Sequence, residues 1–299
     1  MVPNDDETVA LLALLHERKK SWGHIASTVV LEGSAVAVRG QSDEALFDLG
    51  PADDGLERAR AELESWTARG LRLVTVLDAR YPQQLLDIRE TPPFLFFEGA
   101  LRSDDPGMSV VGSRGASAEG IRLAARIAEF LVSQELTVIS GLAAGVDTAA
   151  HRAALDAGGR TVAFIGTGIT KSYPAANAAL QREIAERGLV LSQFFPEAAP
   201  SKQSFPMRNA SMSGYGLATI VVEANEHSGT RIQARLAGQH GRPVILTDSV
   251  VRTTTWGAEL NGQPGVYVVS SLDELGEAVH DIREQPKRAD KALAALMSA

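Results

Sequence analysis

The sequence predicts an α/β fold, a doubly wound and mostly parallel sheet preceded by a small helical segment. Three observations predict it. From Gly70 onward, short apolar runs alternate with helical patterns. These runs are apolar on both faces, as strands buried in a parallel sheet are. Two of them, Val110-Val111 and Val138-Ile139, break at a glycine and lead into a helical pattern. That is the strand-to-helix turn whose backbone amides hold phosphate in folds of this class.

The elements follow in order. Residues 7–66 read as helical: 8–15 is rich in Ala and Leu, and 56–66 has helical apolar spacing with mixed charge. The run Ser34-Ala35-Val36-Ala37-Val38 is ambiguous, and Pro51-Ala52-Asp53-Asp54-Gly55 reads as a loop. Residues 1–69 are therefore expected to form a small helical N-terminal domain. Strands are expected at 71–77 and 94–97, separated by Tyr81-Pro82 and Pro92-Pro93. Further strands are expected at 108–111, 137–140, 161–165, 189–191, 218–223, 244–246 and 266–268. Helices are expected at 118–133, 146–156, 175–187, 229–239 and 272–280. With right-handed crossovers the strands make an open sheet covered on both sides. This gives a Rossmann-like domain over 70–283 and a charged, Ala-rich tail over 284–299, a candidate frayed helix from Gln285.

Composition narrows the function. The chain has no cysteine, which excludes a disulfide framework, a thiolate metal site and a cysteine nucleophile. Arg, Asp or Gly interrupts every apolar run before it could span a bilayer, so no membrane role is expected. The acidic start, MVPNDDE, is unlike a secretory signal, and a cytoplasmic location is expected. Net charge is −8, yet residues 101–250 carry 14 Lys and Arg against 13 Asp and Glu. The acidic surplus lies in the flanks, so a nucleic-acid contact would have to be local.

Several turns share the carboxyl edge of the expected sheet. Gly112 permits a tight turn, Ser113 offers a hydroxyl, and Arg114 offers a planar fork for phosphate. The alternative is an ordinary strand-ending turn. In Ser140-Gly141-x-x-x-Gly145, two glycines four apart let backbone approach a ligand. Asp147 caps the following helix or binds a donor. Asp147 and His151 lie four apart on one helix face, as a ligand pair or an internal pair. Gly166-Thr167-Gly168 forms a third glycine turn, and Lys171 beside it is a candidate phosphate contact or a solvated charge. Arg208-Asn209 has the chemistry for a phosphate and a base or sugar edge. Ser228-Gly229 opens another helix, with Ser228 as its natural cap. No catalytic set stands out: there is no H-E-x-x-H, no Walker lysine and no G-x-G-x-x-G at the first turn.

Taken together, these motifs resemble the DprA/Smf family of bacterial DNA-processing proteins. The resemblance covers roughly residues 75–270. It rests on Tyr81-Pro82, Pro92-Pro93-Phe94-Leu95, VGSR at 111–114, SGLAAGVDTAAH at 140–151 and GGRTVAFIGTG at 158–168. It continues through YPAAN at 173–177, FPMRN at 205–209, VVEA at 221–224 and SGT at 228–230. Ala210 and Arg231 depart from the family pattern, which has arginine and leucine there.

The resemblance implies an extended Rossmann fold, homodimerisation, sequence-independent binding of single-stranded DNA and assistance in loading a RecA-type recombinase. No cofactor, metal or catalysis is implied. By similarity, Ser113, Arg114, Ser140, Gly141, Gly145, Asp147, Arg208 and Asn209 fall on motif positions of the DNA groove, and Gly112, Gly166, Lys171, Lys202, Ser228 and Gly229 join them as candidate DNA and phosphate contacts. Two other readings stand beside it. One is a nucleotide-sensing module using the same edge. The other is a nucleotide phosphoribohydrolase, whose G-G-x-G-T-x-x-E motif needs a carboxylate where this chain has Gln233.

Overall fold

Nine strands lie in one sheet in the computed structural model, which describes residues 5–17, 20–44 and 54–297, and side chains there except at 42–44, 54 and 286–297. They are β1 (Arg72–Thr75), β2 (Phe94–Gly99), β3 (Gly107–Val111), β4 (Thr137–Ser140), β5 (Thr161–Phe164), β6 (Leu189–Ser192), β7 (Ala218–Val221), β8 (Val244–Thr247) and β9 (Val266–Val269). Their order is β1-β2-β6-β5-β4-β3-β7-β8-β9. From β6 across to β9 all pairings are parallel. Only β2 runs against the others, pairing antiparallel with β6 on one side and with β1 on the other.

The chain starts the parallel part at β3, winds outward through β4, β5 and β6, then returns beside β3 as β7 and winds the other way. The strand order thus reverses between β3 and β7. In open α/β sheets ligands bind outside the carboxyl ends of the strands at this reversal.

Alternate residues of the central strands enter two cores, as the two-residue period of a strand requires. Val110, Val138, Ile220 and Ile245 pack with α5 (Ala118–Ser133), α6 (Val146–Asp156) and α12 (Leu272–Met297). Val111, Ile139, Val221 and Leu246 join the other core. That core also takes residues of α1 (Asp5–His16), α2 (Trp22–Glu32), α3 (Ala35–Glu44) and α4 (Asp54–Ala68), so the N-terminal helices pack on the sheet rather than apart from it. Trp66 meets Phe96 edge-on at 5.1 Å, and Phe195 stacks on His16 at 5.3 Å. The helix α7 (Ala178–Arg187) buries Leu180 and Ile184 beside β5 and β6.

Some expectations are corrected. The ambiguous run at 34–38 is helical, since α3 starts at Ala35. Of the expected loop at 51–55, residues 51–53 lie outside the described residues, and Asp54 and Gly55 open α4. The tail, a candidate frayed helix in the sequence, is helical and continues α12 as far as Met297. Three helices were not expected: α8 (Ser204–Tyr215), α9's neighbour α10 (Asp248–Thr253) and α11 (Thr255–Leu260), α9 itself being Gly229–Gln239. The segment of α8 has weak helix formers, with three serines, Pro206 and Gly214. Pro206 sits in its first turn, where a missing N–H costs nothing. Burial then decides. Ala210, Met212 and Tyr215 are in the core, and the Ser211 hydroxyl donates to the buried Gln193 side chain.

Candidate functional site

A cleft of about 460 Å³ opens where the strand order reverses. Its walls come from the turn after β3, the loop after β4, the helix α8 and the segment joining β7 to α9. A cavity of this size suits a nucleotide-sized ligand.

The β3 turn is held from β7. Ser113 N donates to the Glu223 carbonyl at 2.8 Å. The Glu223 carboxylate accepts from Ser117 N at 2.9 Å and from the Ser117 hydroxyl at 2.5 Å. Ser117 in turn caps α5 by accepting from Gly120 N at 3.0 Å. Glu223 was not among the expected site residues. Its sequence signal is a carboxylate just beyond a buried, mostly apolar strand, in VVEA. Above this frame Arg114 is exposed, with its guanidinium 5.1 Å over the Phe205 ring. It pairs with no carboxylate among the described residues and is free to meet an anion.

The loop after β4 folds around Asp147, whose carboxylate accepts from Gly141 N at 3.1 Å and Ala143 N at 3.2 Å. Arg208 lies behind it, with Nη1 4.0 Å from the Asp147 carboxylate and 3.3 Å from the Phe164 carbonyl. Both side chains are buried. Burial pushes the Asp147 carboxyl above its ordinary range, against the pull of Arg208 and the two amides. Burial likewise lowers the Arg208 guanidinium, with Asp147 opposing. Arg208 Nε has no partner among the described residues, and Arg208 lines the cleft floor.

The expected roles of the glycines change here. A methyl at Gly141 would overlap the Arg208 guanidinium, and the Gly141 amide is already bound by Asp147. Gly145 has φ +78°, and a methyl there would run into the Ser113 carbonyl. Both glycines serve close packing of protein against protein. Ser140 likewise lies beneath the cleft and donates to the Val110 carbonyl at 2.7 Å. His151 does not join Asp147. Its Nδ1 donates to Thr161 Oγ1 at 2.7 Å, because that hydroxyl itself donates to the Val138 carbonyl. Burial lowers its pKa to about 3, so the imidazole is neutral.

On the β7 side, Ser228 starts α9, but its hydroxyl makes no capping bond. Ser228 thus holds the expected N-cap position without the side-chain bond, and its Oγ is buried on the cleft wall without a partner among the described residues. Gly229, Asn209 and Gln233 complete that wall. Gln233 donates to Thr219 Oγ1 at 3.4 Å and leaves its Oε1 without a partner.

The structure thus gathers Gly112, Ser113, Arg114, Asp147, Arg208, Asn209, Ser228 and Gly229 around one cleft. Gly141 and Gly166 line a smaller adjoining cavity of about 100 Å³ with Arg114 and Arg208. Two lysines fall outside. Lys171 pairs with Glu197 at 2.8 Å, and the same carboxylate takes Arg69 at 2.6 Å. Lys202 is exposed and borders neither cavity.

Residues 72–280 match the family model of DNA recombination-mediator protein A. The chain belongs to this family. The family match begins at β1, so the N-terminal helices precede it. Among relatives, the DNA processing protein DprA of Streptococcus pneumoniae is 40% identical over 203 residues, which cover 67% of this chain and 72% of that protein. Protein Smf of Synechocystis is 36% identical over 61% of this chain, which spans 47% of the Smf length. The X-ray structure of DprA from S. pneumoniae superposes with a TM-score of 0.65 at 30% identity, covering 91% of this chain and 93% of that one. The single-stranded-DNA-binding DNA processing protein A of Helicobacter pylori superposes with a TM-score of 0.61 at 22% identity, over 73% of this chain and 97% of its own. The latter likeness speaks for the DNA recombination-mediator protein A fold alone.

Proposed function

We propose that the protein binds single-stranded DNA without sequence preference, through the cleft at the strand reversal, in the service of DNA uptake or recombination. One observation supports this most: Arg114, exposed and unpaired, stands over an aromatic ring at the mouth of a cleft whose floor is a second arginine. The fork of Arg114 and the first amides of α9 suit a backbone phosphate. The Phe205 face that Arg114 covers suits a stacked base of any identity once the guanidinium moves onto a phosphate. Phosphate contact and stacking then supply most of the energy, and neither depends on base identity. The family relatives are DNA processing proteins, and one of the structural relatives binds single-stranded DNA.

In this reading residues 70–283 form the DNA-binding unit, 1–69 an attached helical unit and 284–299 an accessory tail. The family resemblance adds a cytoplasmic homodimer that helps load a RecA-type recombinase, with binding and not catalysis as the activity. Gln233 fits that view, since an amide cannot act as a base near neutral pH.

The test is a titration of fluorescent oligothymidine at two salt concentrations, with wild type and Arg114→Ala. The variant is expected to bind all sequences more weakly by about 1–2 kcal/mol, with a salt slope smaller by about 0.7. A changed sequence preference with an unchanged slope would overturn the assignment. Salt-insensitive binding of a mononucleotide that displaces no oligonucleotide would favour the nucleotide-sensing alternative, which the size of the cleft also admits.

A further inference from the structure

We propose that a bound single strand continues from the cleft into a second groove across α8 and α9, where Arg89 and Arg235 take further phosphates. The proposal rests on the reading above and extends its site. The groove has a volume of about 430 Å³ and lies between the start of α2, the segment 89–92 and the paired helices α8 and α9. Pro206 and Ile232 line both the groove and the cleft, so the two hollows share a wall.

Charge and apolar surface are combined in the way a single strand requires. Arg89 and Arg235 line the groove, and Arg231 is exposed one turn earlier on α9. None of the three pairs with a carboxylate among the described residues. Among the described residues the one carboxylate on the groove wall is Glu90, whose Oε2 is engaged by His240 Nε2 at 3.0 Å. Trp22, Met207, Ile232 and Leu236 supply apolar surface between the arginines, and Met207 is 37% exposed. Bases lie on such surfaces while guanidinium groups follow the backbone. A duplex offers no free base faces, so the groove suits unpaired strands. The overall acidic balance makes this local positive lining the more telling.

The experiment compares oligothymidines of about four and about twenty nucleotides, lengths near the ends of the usual range for one binding module. The variants are Arg89→Ala/Arg235→Ala and, separately, Met207→Glu. The double variant is expected to bind the long oligonucleotide about 10-fold more weakly, with a salt slope smaller by about 1.4, and the short one as wild type does. Met207→Glu, which puts a negative charge in the groove without touching an arginine, is expected to show the same length-selective loss. Arg114→Ala weakens both lengths if the cleft reading holds, which separates the two claims. If Arg114→Ala weakens both lengths while neither groove variant affects the long one, the groove proposal falls and the cleft remains. Equal loss at both lengths also overturns it. Unchanged oligonucleotide binding with loss of an acidic peptide ligand would assign the groove to a protein partner instead.

Discussion

Replacing Arg208 by methionine tests whether the floor of the cleft is held by a buried charge pair. The two side chains are 6% and 7% exposed, and their charged atoms are 4.0 Å apart. At that distance two unit charges attract by about 4 kcal/mol at an effective dielectric constant near 20. Methionine keeps much of the apolar stem and removes the charge. Asp147 then stays buried with two amides and no cation among the groups that now stabilise it. Breaking a buried pair from one side costs about 3–5 kcal/mol, so about 3–4 kcal/mol is expected at pH 7. The double variant Asp147→Asn/Arg208→Met should cost less than the sum of its parts by about 2 kcal/mol or more.

The sign of the pH dependence follows from the same pair. The Asp147 carboxyl is already raised above 3.8 by burial, and Arg208 opposes that rise. Without Arg208 it rises further, so the folded variant holds a proton more tightly than the unfolded chain does. The added cost is therefore largest above the raised pKa and fades as pH falls toward 3.8. Urea unfolding of the four proteins at pH 7 and at a mildly acidic pH measures both effects. A coupling below about 0.5 kcal/mol, or a penalty that does not shrink with acid, would refute the pair as the support of the cleft floor.

The imidazole of His151 ought to make the protein acid-sensitive. Its pKa falls from 6.5 unfolded to about 3 folded, chiefly through burial, so stability is lost as pH drops through that window. The loss is up to about 1.4 kcal/mol per pH unit. In His151→Leu the urea midpoint should vary less with pH there, and a variant that keeps the wild-type slope would exclude this histidine as the cause. Gly145→Ala should lower stability by more than about 1 kcal/mol, since φ is positive and the Ser113 carbonyl blocks the methyl. A thermal melt like that of wild type would show that the turn relaxes. Purified protein should release no free base from AMP, because Gln233 offers an amide where a carboxylate is needed. Base release proportional to protein and lost with Arg114→Ala would establish an enzyme.

Much of this molecule was legible from local pattern. Helices α5, α6 and α9 fall on their expected residues, as does β4, because apolar period and glycine breaks are encoded within a few neighbouring residues. The turn at 112–115 and the loop at 141–145 were visible for the same reason. The helix α8 was not, since its serines and proline favour a loop and only packing against β3, β5 and α9 overrides them.

The candidate site divides along the same line. The sequence by itself determined that arginine, glycine and serine would gather at the carboxyl edge of a parallel sheet, because Gly112, Ser113 and Arg114 directly follow β3 and Gly141 directly follows β4. Only the tertiary structure decided which of them face the cleft. Lys171 turns away because Glu197, 26 positions later, comes within 2.8 Å of it. Arg208 is sunk into the floor because the first turn of α6 supplies Asp147 and the loop after β4 leaves no side chain at Gly141. Ser228 loses its capping bond, and Glu223 becomes the brace of the β3 turn, because β7 lies beside β3. These outcomes depend on contacts between residues far apart in the chain, which local periodicity and spacing do not encode.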